Sequence, residues 1–306
     1  MTEANENTAP IHSARSLVVD WLDRPKLRAA RLADELQFSI AWSEQSLPPG
    51  DQELRASAAA GEGGLSWLGG PALGLAAEEW PRRPDGIPLA HVATVNLWAV
   101  DQCLGVETQA DWPNAIGGLP DHGVLQVFHD LTQTHGTDAD DRDSGGWKVQ
   151  WIPDPDFTVL ANGPADLELP SDACQAFHLF ATWSIPAESA AARESTKAFT
   201  ANQRALQAYQ WMWSWQRTMI RGSRPLPITH LYGHSQAGDL EAVEAILPAC
   251  LPLTEPGDRY RLVLDIESWT ALEGWFGDAC PLEVWMRQSE LDARDFDSAW
   301  CIVRAD

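Results

Sequence analysis

Residues Ile228–Leu247, ITHLYGHSQAGDLEAVEAIL, read as a short apolar strand, a tight glycine turn and a helix, with Ser235 at the turn. A nucleophile elbow requires that order. Its serine hydroxyl sits on a sharp bend at the head of a helix, and small residues flank it because the backbone is crowded. The stretch therefore decides between a hydrolase built around Ser235 and a fold in which the same residues only turn the chain. Gly233-His234-Ser235-Gln236-Ala237 departs from G-x-S-x-G at its last position, with Gly238 one place late. The larger obstacle is the base. The α/β-hydrolase order is serine, acid, histidine, yet the eight histidines are His12, His91, His122, His129, His135, His178, His230 and His234, none of them after Ser235. An upstream histidine would mean a different fold, since triads are defined by geometry and not by order. Ser235 is read as a turn residue, and no catalytic residue is assigned.

The 306 residues suffice for one large domain or two ordinary ones, and a hydrophobic content of 44% marks a globular chain. Forty-four acids against 21 bases give a net charge of −23. This argues against nucleic acid, whose phosphates need clustered Lys and Arg, and against an anionic membrane surface. It suits a basic protein partner. The opening MTEANENTAP has no basic or apolar leader pattern, and no apolar run approaches a membrane span. Five scattered cysteines, Cys103, Cys174, Cys250, Cys280 and Cys301, form no C-x-x-C pair. They are expected as reduced thiols of a cytoplasmic protein. Sixteen tryptophans supply core area and candidate interface anchors.

Along the chain, Ser13–Asp23 and the stretch from Pro25 through Leu27, Leu32, Leu36 and Ile40 are spaced as two helices. Residues 1–64 are therefore expected as a helical extension, and 65–306 as the main domain. Leu89–Val100 alternates as a strand, with Val92, Thr94 and Asn96 on one face and His91, Ala93, Val95 and Leu97 on the other. Gly118–Leu131 is a turn feeding a strand, His135–Gly146 an acidic loop, and Trp147–Ile152 a short strand. Ala187–Arg221 is the longest helical candidate; it carries Trp211, Trp213 and Trp215, which cannot all face one core because alternate helical positions lie about 200° apart. Arg259–Ser268 and Cys280–Leu291 alternate again. Two stretches share one order: a glycine turn (Gly69-Gly70, Gly233-His234), an alternating strand (VATVNL, LVLDIE), then a strand of the form x-L-x-V-aromatic. That order predicts an internal duplication.

The remaining constellations fail on spacing. Asp138–Asp143, DADDRD, places Asp143 and Val149 where a calcium loop needs Gly and Glu. His122, His129, Asp130 and His135 are close in sequence but do not share a strand face. His230 and His234 flank a turn with no Glu between them, unlike a zinc-binding helix, and there is no phosphate-loop or dinucleotide fingerprint. No metal and no cofactor is expected.

The stretches SWLGGPAL…EEWPRRPDGIPLAHVATVNL, GLPDHGVLQVFHDL, HLYGHSQAGDLE and RYRLVLDIES…WFGDACPLEVWMRQSEL…DFDSAWCIV together resemble the bacterial YwqG-like family, whose function is unknown. The resemblance spans residues 66–303 and rests on the order of the motifs, no one of which is specific. It implies an α+β fold of largely antiparallel sheets with internal duplication. It makes GHSQAG a structural glycine turn. The family's two central-strand glutamines are replaced at Thr94 and Asp265. Some members occur near toxin systems, which implies an immunity or partner-binding role. The leading expectation is a non-catalytic protein that binds a protein, in its specific version a basic toxin domain. Asp138, Asp140, Asp141 and Asp143 would supply charge, and Trp211, Trp213 and Trp215 aromatic contacts. The alternative is an enzyme or small-molecule binder with a pocket between the repeats lined by Thr94, His234, Ser235 and Asp265, a hydrolase using Ser235 being its specific form.

Overall fold

The computed structural model describes residues 37–42, 54, 64–105, 118–131, 133–168, 174–184, 220–221, 224–225, 229–235, 237–266 and 281–304. In chain order its strands are β1 (Gln37–Trp42), β2 (Ser66–Gly69), β3 (Ala72–Leu73), β4 (Ala90–Asn96), β5 (Val124–His129), β6 (Trp147–Ile152), β7 (Leu160–Ala161), β8 (Cys174–Phe177), β9 (Leu179–Ser184), β10 (Ile220–Arg221), β11 (Arg224–Pro225), β12 (His230–Leu231), β13 (Tyr260–Ile266), β14 (Leu282–Arg287) and β15 (Trp300–Val303). A six-stranded sheet runs β15-β14-β13-β12-β1-β9 and a five-stranded sheet β6-β5-β4-β2-β8, with β3-β7 and β10-β11 as separate pairs. The strand pairings within both sheets are antiparallel. Short helices fill some connections, so the fold is mixed, with antiparallel sheets dominant.

Alternation sets the faces. Ala93 and Val95 of β4, Leu125 and Val127 of β5, Leu264 and Ile266 of β13, and Leu282 and Val284 of β14 enter one shared core, so each sheet gives one face to it. The opposite faces carry their own clusters: Trp67, Leu73 and Val124 on the five-stranded sheet, and Leu262, Trp285, Trp300 and Ile302 on the six-stranded one. Where β6 and β15 end the two sheets, Trp147 meets Trp300 edge to face at 4.9 Å, and Trp147 Nε1 donates to Ala299 O at 3.0 Å.

The sheets repeat one plan. The run β2-β4-β5-β6 and the run β12-β13-β14-β15 have the same order. The strands VATVNL and LVLDIE hold equivalent second places. Thr94 pairs with Trp67 and Gln126, and Asp265 with His230 and Glu283, so Thr94 and Asp265 correspond. Both second strands shift register at the same point, between His91 and Ala93 and between Leu262 and Leu264. The turns match as well. Gly69 and Gly70 have φ of 63° and 64°, and Tyr232 and Gly233 have 57° and 80°. Trp67 Nε1 donates to the carbonyl four residues on, Pro71 O, at 3.0 Å; His230 Nε2 does the same to His234 O at 3.0 Å.

Several expectations need correction. The second N-terminal helix does not run to Ile40: Gln37–Trp42 is β1, lying between β9 and β12. Phe38, Ile40 and Trp42 enter the shared core while Ser39 and Ala41 face away, a period of two that outweighs the helical spacing. One strand of the six-stranded sheet thus comes from before residue 65, and Leu54 packs with Trp67 as well. The strand expected over Leu89–Val100 ends at Asn96, whose Oδ1 accepts from Ala99 N at 3.2 Å and starts the helix Leu97–Cys103. The irregularity in β4 sends Val92 into the core and turns His91 to Thr94's side, the reverse of strict alternation. Of the long helix expected over Ala187–Arg221, the described end, Ile220–Arg221, is a strand. Ser13–Asp23, Trp211, Trp213, Trp215 and Cys280 lie outside the described residues.

Candidate functional site

The glycine turn after β12 gathers the polar groups of the second repeat. Gly233 sits at φ 80°, and a Cβ there would fall 2.3 Å from Ser184 Oγ, so only glycine lets the chain pass. That hydroxyl accepts from His234 N at 2.8 Å. Asp239, the first residue of the helix Asp239–Glu241, accepts from Ser235 N at 2.7 Å through Oδ1 and from His234 Nδ1 through Oδ2. Ser235 is 1% exposed; its Oγ donates to Glu283 Oε1 and accepts from Ala237 N at 3.1 Å.

Glu283 is fully buried in β14. Its Oε2 also accepts from Trp285 Nε1 at 2.8 Å and from Arg304 Nη2 at 2.9 Å. Burial pushes the Glu283 carboxyl up, and Arg304 with the three donors draws it back without cancelling the rise. Arg304 Nη1 donates to Gly238 O at 2.8 Å, so the last described residue ties the turn to the sheet. Among the bonds described, Ser235 Oγ meets Glu283 and Ala237 N, while His234 Nδ1 goes to Asp239 and His230 Nε2 to the His234 carbonyl. The set has the chemistry of a buried strut.

The equivalent positions of the first repeat are uncharged. His91 Nδ1 lies 3.0 and 3.1 Å from the carbonyls of Gly69 and Gly70, so this nitrogen carries the proton, and Nε2 accepts from Thr94 Oγ1 at 2.9 Å. Burial lowers the His91 pKa to about 4, which keeps that tautomer uncharged. Gln126 Nε2 donates to Leu73 O at 3.0 Å and Gln150 Nε2 to Gln126 Oε1 at 3.0 Å. Thr94 therefore does not join His234, Ser235 and Asp265 in one pocket: it lies on the outward face of one sheet and they belong to the other, with the shared core between. Asp265, also fully buried, sits between His230 and Glu283 across β12-β13-β14. Glu283, Arg304 and Gln126 were not singled out from the sequence. A Glu between Leu282 and Val284 in an alternating strand was the available signal for the first; Arg304 follows the last strand and had none.

The second polar region is the acidic loop. Ala139–Ser144 forms a 3-10 turn, with Asp138 N bonded to Asp141 Oδ2 at 3.2 Å. Asp138, Asp140 and Asp143 are exposed and Asp141 is half-buried. Arg142 fastens the loop to the second repeat: it donates to Asp297 O at 3.0 Å and Ser298 O at 2.9 Å, and lies over the Trp300 ring at 5.0 Å. Trp300 Nε1 donates to Gly136 O at 2.7 Å, and Val303 N to His135 O at 2.8 Å. At Gly136 the chain passes so close to β15 that a Cβ would lie 1.7 Å from Cys301 O. Cys250 Sγ donates to Thr137 O at 3.4 Å.

Among the described residues, no helix is long and apolar enough to cross a membrane. No curated protein matches the chain. The family model for a domain of unknown function, DUF1963, matches residues 66–304, the span that holds both repeats. The chain belongs to this family of domains of unknown function.

Proposed function

We propose that the protein is a non-catalytic, cytoplasmic binding protein of the YwqG-like kind whose acidic loop docks a basic protein partner. One contrast carries this reading. Ser235 and Glu283 are buried and bonded to each other, whereas Asp138, Asp140 and Asp143 stand exposed on a loop held by Arg142. A charged element already fixed in place loses little freedom on binding, and charge complementarity speeds encounter. An immunity partner for a basic toxin domain is the specific form, drawn from the family's association with toxin systems.

The test begins with a partner captured from the native host at low salt. Asn at Asp138, Asp140 and Asp143 should slow association several-fold and leave dissociation nearly unchanged, with the wild-type rate falling as salt rises. An association rate indifferent to both salt and substitution would remove the acidic loop from the account.

A second reading, small-molecule binding at the glycine turn, is favoured by the asymmetry of the repeats. His234, Ser235 and Glu283 stand where the first repeat has Pro71, Ala72 and Gln126.

A further inference from the structure

We propose that His129 is a pH-sensitive latch on the acidic loop: its unprotonated Nδ1 holds the backbone at the loop's root, and a proton there releases it. The inference rests on the binding reading only for its consequence, the weakening of the docking element in acid.

His129 ends β5 and is fully buried, its ring stacked on Trp147 at 6.4 Å with 9° between planes. Nδ1 accepts from Leu131 N at 2.8 Å. Leu131 is one of three described non-glycine residues at positive φ, at 59°, a conformation a leucine keeps only when its surroundings impose it. The bond therefore fixes a strained residue at the point where the chain leaves the sheet. It requires a lone pair on Nδ1, so the neutral ring carries its proton on Nε2, for which no described acceptor exists.

The charged neighbours decide what a second proton does. Asp130 Oδ1 lies 3.7 Å from Nδ1 and favours the protonated ring. The same oxygen accepts from Gln133 N at 3.3 Å and Thr134 N at 3.1 Å. Its partner Oδ2 accepts from Thr134 Oγ1 at 2.7 Å and faces Arg83 Nη1 at 3.5 Å. His135, further along the loop, opposes protonation. From β6 comes Trp147, and Lys148 beside it pairs with Asp297; from β4 the facing residue is Ala90, which is uncharged. Burial prevails over Asp130 and lowers the His129 pKa to about 4. A proton on Nδ1 would expel the Leu131 N–H and compete for Asp130 Oδ1 with the amides of Gln133 and Thr134. Three backbone tethers at one root would loosen together.

An opened loop exposes the ring and restores an ordinary titration near 6.5. The opening equilibrium should then grow about 20-fold between neutral pH and pH 5. Amide hydrogen exchange over residues 131–146, corrected for the intrinsic rate and referenced to 260–266, measures this with no partner present. The wild type should lose loop protection between pH 6.5 and 5 while β13 keeps its own. His129→Asn places an acceptor oxygen near the Nδ1 position and does not titrate, so its loop protection should be independent of pH. Equal pH dependence in both proteins, or loop and β13 protection falling in parallel, would overturn the latch. Should the variant not fold, the imidazole nitrogen shifts of the wild type decide together with its exchange: His129 titrating near 6.5 in the folded protein overturns the proposal, and a ring still neutral at pH 5 while the loop alone loses protection upholds it. A loop with pH-independent protection refutes the latch and leaves partner binding untouched; a working latch on a loop that binds nothing refutes only the binding reading.

Discussion

The Glu283–Arg304 pair offers the sharpest test of the duplication, because the first repeat supplies its uncharged counterpart. Gln126 stands where Glu283 stands. Continuing the register of β5-β6 and β14-β15 by one residue sets Ile152 against Arg304. Arg304→Ile should therefore leave Glu283 buried with only Ser235 and Trp285 as partners. Removing one member of a buried pair costs about 3–5 kcal/mol, and the loss of the Arg304 bond to Gly238 O lies within that figure. Combining it with Glu283→Gln removes the charge left behind. The double variant should recover to within about 1–2 kcal/mol of the wild type, a coupling of at least about 2 kcal/mol. Urea denaturation of the wild type, both single variants and the double variant gives the cycle. The pH dependence of the single variant is a second readout. Without Arg304 the Glu283 carboxyl is pushed further above its ordinary value. A carboxyl raised in the folded state contributes most below its unfolded pKa, and that contribution is lost as pH rises through the folded one. Arg304→Ile should thus be less destabilised at pH 5 than at pH 8. Additive effects, or a defect independent of pH, would refute the paired-strut reading.

The buried histidines and Ser235 give three further outcomes. His91 and His129 are both lowered from 6.5 to about 4, so the unfolded chain takes up their protons first. Stability should fall as pH drops from 6.5 towards 4, by about 3 kcal/mol per histidine at most, and a urea midpoint constant over that range would contradict it. Ser235→Ala should cost about 1–3 kcal/mol by leaving Glu283 short of a donor, and a fluorophosphonate probe should leave the wild-type serine unlabelled; stoichiometric, heat-sensitive labelling at Ser235 would refute its role as a turn residue.

What the sequence made legible follows from periodicity. The strands VATVNL and LVLDIE read as equivalent because both alternate after a glycine turn, and the register places Thr94 and Asp265 at matching sites. Gln126 and Glu283 fill the same middle position of LQVF and LEVW, a correspondence present in the sequence and not drawn from it. β1 was hidden by its neighbours: Leu27, Leu32, Leu36 and Ile40 fit a helix, and only the short alternation of Phe38, Ile40 and Trp42 speaks for a strand. Thr94 stands apart from His234, Ser235 and Asp265 for a different reason. Corresponding residues of two packed sheets need not converge, and Thr94 and Asp265 both face away from the shared core.

The repeats also explain why the acidic loop is firm. It connects β5 to β6 in the first repeat, yet its anchors belong to the second: the carbonyls of Asp297 and Ser298, the Trp300 indole and the amide of Val303. It covers the edge of β15, which would otherwise expose unpaired backbone groups. The second repeat reaches back. Lys148 of β6 pairs with Asp297, and Gly118, at φ 76°, lies so close to the helix Gln288–Asp292 that a Cβ would fall 2.9 Å from Asp292 N. Each repeat thus seals the other with a long connection. The acidic loop owes its shape to this exchange: loosening β15 should soften it even though no residue of the loop has changed.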